Sequence, residues 1–257
     1  MTVRPKKSLG QHFLRDENIA RKIVQGLDVD SGSSIFEIGP GTGVLTKYLL
    51  ELYPNIEILE IDKEAWAFLQ NRFPEHADRI ILGDVLKFDF PGSLPPPIHI
   101  IGNFPYNISS QIFFRVLENR QEIAQVVCMI QKEVADRIRA PHGSKTYGIL
   151  SVLLQAFFDI EYLFTVSAGV FTPAPRVQSA VIRLKRNNRK HLDCDEKMFF
   201  RVVKASFNHR RKTLRNSLKG LFLIPEQEDE IFSLRPEQLP VDRFIELTTL
   251  LSIKDSS

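Results

Sequence analysis

Short apolar runs alternate with amphipathic stretches along the first 186 residues. Ser34–Ile38, Ile56–Ile61, Arg79–Leu82, Ile98–Gly102, Ala124–Ile130, Glu161–Val166 and Val177–Leu184 read as strands, short and apolar. Helical spacing falls between them. One helix follows a cap at Asp16 and carries the stripe Ile19, Ile23, Val24 and Leu27. Another carries Val44, Leu45, Tyr48, Leu49 and Leu52 and stops before Pro54, and Lys63–Arg72, Lys132–Ala140 and Tyr147–Phe158 complete the set. Strands separated by helices predict an α/β fold, a doubly wound and mostly parallel sheet of seven strands. Beyond Arg186 the pattern is helical only, with Glu196–Lys219, Glu226–Phe232 and Pro236–Leu251. The expectation is a domain over residues 1–186 and a small all-helical domain over 187–257.

Composition narrows the class. Of 257 residues, 43% are hydrophobic and 25% charged, which excludes wholesale disorder. No apolar run reaches the length of about twenty residues that a membrane span needs. The N-terminal MTVRPKKSLGQHF is basic but lacks the apolar stretch of a secretory signal. Cys128 and Cys194 stand far apart, fitting neither a disulfide framework nor a zinc site. A monomeric cytoplasmic protein without a metal or membrane contact is expected. The net charge of +3 hides an asymmetry: residues 183–219 hold 13 Lys and Arg against 3 Asp and Glu, a local +10 that leaves −7 elsewhere. A charge run is ordinarily a solvated helix face, but one sign so concentrated points to a polyanionic partner.

The chemistry begins at Gly39-Pro40-Gly41-Thr42-Gly43, between a predicted strand and a predicted helix. Glycines there let the backbone approach a ligand, and a helix start offers free N–H groups. Glu60 comes 21 residues after Gly39, where a carboxylate can accept both hydroxyls of a ribose. The glycines alone make a tight turn; with the strand, helix and acid they indicate a nucleoside-containing ligand. A nicotinamide dinucleotide and S-adenosylmethionine both satisfy this pattern. Asp84 ends the third strand and suits either an adenine amine or a local cap.

The run Ile100–Ser109, IIGNFPYNIS, ends a buried strand on an amide, a proline and two aromatics, and a buried amide needs a partner. Asn103-Phe104-Pro105-Tyr106 resembles the [Asn/Asp]-Pro-Pro-[Tyr/Phe] motif of amino-group methyltransferases. With LGQHFL, EIGPGTGVLT, QKEVADR, YGILSV, FTPAPRVQSAV and FNHRRKTLRNSL in order, nearly the whole chain is similar to the KsgA/RsmA family of small-subunit ribosomal RNA adenine dimethyltransferases. The resemblance implies a Rossmann-like class I methyltransferase sheet, S-adenosylmethionine as methyl donor, and two adjacent adenosines near the 3′ end of small-subunit rRNA as target. It also implies donor contacts at His12, Leu14, Gly39, Gly41, Glu60, Asp84 and Asn103. Two positions depart from the usual family residues: His12, where Asn is frequent, and Phe104, where Leu is commoner.

An adenine N6 amine is a weak nucleophile because its lone pair is delocalised into the ring. Two acceptors on its hydrogens, the Asn103 side-chain carbonyl and the main-chain carbonyl of Phe104 or Pro105, would favour a pyramidal nitrogen. Proline has no N–H and stiffens the turn, so the acceptors are preset. Tyr106 offers one stacking face for an extruded base, and the resemblance makes Phe171 the second. Asn103, Pro105, Tyr106 and Phe171 are therefore the expected catalytic group. Arg210, Arg211, Lys212 and Arg215, with Arg4, Lys6 and Lys7, are expected on rRNA phosphates. Specificity from RNA shape makes the immature small subunit the expected partner. Three other readings are an Erm-type large-subunit rRNA methyltransferase, a binding protein that kept the fold without the chemistry, and a nicotinamide dehydrogenase.

Overall fold

A computed structural model describes residues 3–29, 33–225 and 229–253. Its main sheet has seven strands: β1 (Ser34–Ile38), β2 (Glu57–Glu60), β3 (Ile80–Leu82), β4 (Ile98–Asn103), β5 (Ile123–Gln131), β6 (Phe158–Val166) and β7 (Ser179–Arg186). They lie side by side in the order β3-β2-β1-β4-β5-β7-β6. The pairings β3–β2, β2–β1, β1–β4 and β4–β5 are parallel, and β7 runs antiparallel to β5. The strand order reverses between β1 and β4. There the carboxyl ends of neighbouring strands open outward and leave a crevice, the general ligand position of open α/β sheets.

Ile100, Ile101, Val126, Val127, Val181 and Ile182 are all fully buried, as central strands covered on both faces require. Helix α1 (Glu17–Val24) starts where Asp16 accepts the Asn18 and Ile19 N–H groups at 2.9 and 3.0 Å, and it buries Ala20, Ile23 and Val24. A further helix, Ser109–Glu118, was not legible in advance, although its buried Ile112, Phe113, Val116 and Leu117 keep helical spacing. Close approach decides Gly102. A Cβ there would stand 2.2 Å from the Ile38 carbonyl oxygen, so only glycine lets β4 lie against the end of β1.

The chain divides into two compact units, Met1–Ala135 with Asp159–Arg186, and Asp136–Phe158 with Asn187–Ser257. The second unit resumes at Asn187, where a boundary is expected, but it also takes Asp136–Phe158. The helix Ile149–Gln155 presents Leu150, Val152, Leu153 and Leu154 to the interior, and the following Ala156 and Phe157 are fully buried. A short apolar segment of this kind carries no mark of which core it will join. The expected single helix over 196–219 is broken into Glu196–Asn208 and Leu214–Leu218. At the start of the second of these, the Leu214 N–H, which has no acceptor in its own helix, donates to the Leu234 carbonyl at 2.8 Å. The expected helix Glu226–Phe232 begins outside the described residues, and Glu230–Ser233 is a 3-10 turn.

Candidate active site

Beyond β1 the chain turns through Gly39, Gly41 and Gly43, whose φ angles are +67°, +59° and +78°. This left-handed backbone strains any side chain with a Cβ. At Gly41 space is also short, since a Cβ would meet the Phe13 ring at 2.8 Å. The N-terminal segment thus lies directly on the glycine turn. Phe13–Leu14 pairs antiparallel with Phe171–Thr172, which fastens that segment in place.

Residues of the glycine turn, the N-terminal segment and the ends of β1, β2, β3 and β4 line one open cleft. Gly39, Gly41, Glu60, Asp84, Asn103, Phe104, Pro105, Tyr106 and His12 all line it. Eight of the expected donor and catalytic positions thus converge. Leu14 and Phe171 do not line this cleft. Both side chains belong to the hydrophobic core, with 3% and 2% exposure, and they face each other as partners in the small ribbon. Leu14 borders a smaller recess with Gly39, Gly41 and Asn103; Phe171 as a stacking ring and Leu14 as a donor contact are proposals. An aromatic at the head of a Pro-rich loop reads as a stacking platform or as a core residue, and the ribbon buries this one.

Glu60 is almost fully buried. Its oxygens accept the N–H groups of Gly41 at 3.1 Å and Asp62 at 2.9 Å. Burial pushes its carboxyl above the usual range, and those two N–H groups pull it back. Each oxygen keeps a further lone pair for a ligand hydroxyl. Ile61 follows with 45% exposure, an apolar side chain left open in the cleft wall. Asp84 accepts the Leu86 N–H at 3.0 Å through one oxygen, so a local turn and a free acceptor coexist there.

At the end of β4 the Asn103 Nδ2 donates to the His12 carbonyl at 2.9 Å. A carbonyl only accepts, so this bond fixes which end of the amide is nitrogen. The opposite atom, Oδ1, is buried and has no hydrogen-bond partner among the described residues. A buried carbonyl without a donor costs about 1–3 kcal/mol, so this oxygen is open to a donor from outside the protein. The Pro105 carbonyl already accepts the Ile108 N–H at 3.2 Å, which makes Phe104 the better source of a second acceptor. The Phe104 ring itself is buried, 5.9 Å from the Phe113 ring, and leaves only its main chain for such a contact. The Tyr106 hydroxyl bonds the Ser179 Oγ, and burial raises its ionisation above the usual phenol range.

Several contacts had no sequence signal because they join distant segments. Lys6, expected on RNA, places its Nζ 2.6 Å from the buried carboxylate of Asp62, two residues after Glu60. Gln11 reaches the same carboxylate at 3.3 Å. Arg4 and Lys7 are exposed. In the second unit Arg211, Lys212 and Arg215 are exposed, while Arg210 donates to the Ser144 carbonyl at 3.4 Å. Among the described residues no group of His, Cys, Asp and Glu could hold a metal ion, and no helix is long and apolar enough to cross a membrane.

The residues present fit an S-adenosylmethionine-type donor. A glycine turn approaches the cleft without side chains, a buried carboxylate ends β2, an open apolar wall follows it, and an amide oxygen lacks its donor. Comparison with known proteins agrees. The model of the ribosomal RNA adenine dimethylase family matches residues 3–244. A Cytophaga hutchinsonii protein named ribosomal RNA small subunit methyltransferase A is 56% identical over 255 residues, 98% of this chain and 99% of that one. A Parabacteroides distasonis protein of the same name is 54% identical over 250 residues, 96% of this chain and 94% of that one. Two solved structures share the fold: a dimethyladenosine transferase from Plasmodium falciparum (TM-score 0.78, 22% identity, 93% of this chain and 99% of that one) and the 23S rRNA methyltransferase ErmE (0.71, 24%, 92% and 99%). A crevice at the strand reversal, an unpartnered amide oxygen within it and matches along nearly the whole length agree, and the chain belongs to the ribosomal RNA adenine dimethylase family.

Proposed function

We infer that the protein transfers methyl groups from S-adenosylmethionine to the N6 amines of two adjacent adenosines near the 3′ end of small-subunit rRNA. The observation that carries this reading is the unpartnered Oδ1 of Asn103 in the cleft. The donor supplies a methyl group on a cationic sulfonium. Glu60 would hold ribose hydroxyls, Asp84 an adenine amine, and the turn at Gly39 and Gly41 the remainder of that molecule.

Asn103 Oδ1 and the Phe104 carbonyl would accept the two N6 hydrogens of the target base. That grip concentrates the lone pair on the face turned toward the methyl group, so positioning contributes most of the acceleration. The proton released by the product amine leaves through water. Base extrusion costs a few kcal/mol, and stacking on Tyr106 returns roughly 1–3 kcal/mol. The monomethylated product keeps one N–H, and the second transfer uses the same acceptors. Arg211, Lys212 and Arg215, with Arg4 and Lys7, would meet rRNA phosphates. The immature small subunit as substrate, a monomeric state and a cytoplasmic setting belong to the same proposal.

An Erm-type activity shares the Asn103–Tyr106 chemistry. The relatives above 50% identity carry the small-subunit name, whereas ErmE stands at 24%. Radiolabelled methyl transfer to immature small subunits from a methylation-deficient strain and, in parallel, to large-subunit rRNA, followed by nucleoside analysis, tests the reading. Dimethyladenosine in small-subunit rRNA is expected; label confined to large-subunit rRNA would transfer the assignment to the rival. Asn103→Ala is expected to lower transfer by about 100-fold or more while donor affinity stays nearly unchanged. Wild-type turnover by that variant would remove Asn103 from the mechanism.

A further inference from the structure

His12 makes three contacts that bear on the reactive turn. Its main-chain carbonyl accepts the Asn103 Nδ2 at 2.9 Å. Its Nδ1 lies 2.7 Å from the Pro173 carbonyl, an acceptor only, so Nδ1 carries the proton. Its ring stacks on Tyr106, with centroids 5.2 Å apart and planes 28° apart.

These contacts join segments far apart in sequence. The residues after His12 pair with the residues before Pro173, Phe13 with Thr172 and Leu14 with Phe171. The ribbon therefore fixes both the imidazole's anchor and the carbonyl that orients Asn103. Tyr106 is held at its hydroxyl by Ser179 and on one face by His12, and it lines the cleft.

We propose that His12 is the positioning residue of the amine-accepting face, backing Tyr106 with its ring and orienting the Asn103 amide through its carbonyl. The proposal rests on the methyl-transfer reading and adds to it a role for a side chain that need not touch the donor. A base stacked on an unsupported Tyr106 sits at a variable distance from the acceptors. Loss of that support lowers the reacting fraction of bound substrate and leaves binding in place, so it falls on kcat rather than KM.

The test is steady-state methyl transfer to immature small subunits by the full-length protein, with calorimetric titration of S-adenosylmethionine alongside. His12→Ala is expected to lower kcat about tenfold, with both KM values and the donor Kd moving by much less than kcat. His12→Phe keeps a flat ring without the N–H and is expected to recover most of kcat. His12→Asn keeps a short donor without the ring and is expected to stay low. Wild-type kcat in His12→Ala would overturn the proposal, as would a Kd for S-adenosylmethionine that rises in step with the lost activity. So would a His12→Phe protein that folds and binds donor yet is no more active than His12→Ala. Transfer by wild-type with none by Asn103→Ala keeps the underlying reading intact in each of these cases; absence of transfer by wild-type overturns both.

Discussion

Glu37 sits near the end of β1 with 0% exposure, and one of its oxygens accepts the Thr46 hydroxyl at 2.8 Å. Burial pushes its carboxyl up to about 8 from the usual 4.5, and the nearby Glu60 adds to the rise. Between those values the folded chain holds a proton that the unfolded chain has released, so rising pH favours unfolding across that window. The contribution is most favourable below pH 4.5, falls by about 1.4 kcal/mol per pH unit up to about 8, and is level above. Glu37→Gln keeps the shape and cannot ionise. Denaturant unfolding should show its stability gaining on wild-type from pH 5 to 8; a difference independent of pH would show that Glu37 is ionised in the fold. The same scale shows what residue chemistry conveys unaided. Glu60, Asp84 and Asn103 were recognisable because a carboxylate or amide at a strand end needs a partner, and all three line the cleft. Phe171 is different, since a ring has the same identity in a core and in a stacking slot.

A strand or helix is specified by its own pattern but seated by its neighbours. The strands β1 through β5 were legible to within about two residues, because a buried parallel strand must be apolar throughout. Register is another matter, and Gly102 shows why. Its partner across the β1–β4 pairing is Ile38, and the predicted Cβ collision is with backbone, which cannot swing aside as a side chain would. Gly102→Ala should therefore cost roughly 1–3 kcal/mol or more by overpacking and disturb Asn103 next to it. Chemical denaturation together with donor titration checks this, and a variant of wild-type stability would mean that the strands separate more readily than their register implies. The break after Asn208 has the opposite origin. Asn208, His209 and Thr213 are weak helix formers, and the Leu214 N–H that opens the next helix donates to the distant Leu234 carbonyl.

At the scale of the whole molecule the sequence is a nearly neutral chain carrying a strongly basic segment. RNA affinity that depends on Lys and Arg releases condensed counterions, so its logarithm falls with the logarithm of salt by about 0.7 per phosphate neutralised on single strands. Replacing Arg211, Lys212 and Arg215 together by Ala should reduce that slope by about 2 while leaving S-adenosylmethionine binding unchanged. Filter binding of small-subunit rRNA over a salt series measures it, and an unaltered slope would remove these residues from the RNA contact. The amino-acid order by itself determined the alternation of strands and helices, the glycine turn, the acids at strand ends and the charge asymmetry, because each depends on neighbours within a few positions. Only the tertiary structure decided that Lys6 pairs with Asp62, that Asp136–Phe158 joins the second unit, that the Phe171 ring is buried, and that His12 stacks on Tyr106. Those are contacts between segments tens to more than a hundred residues apart, and a sequence pattern does not encode which distant surface a side chain will meet.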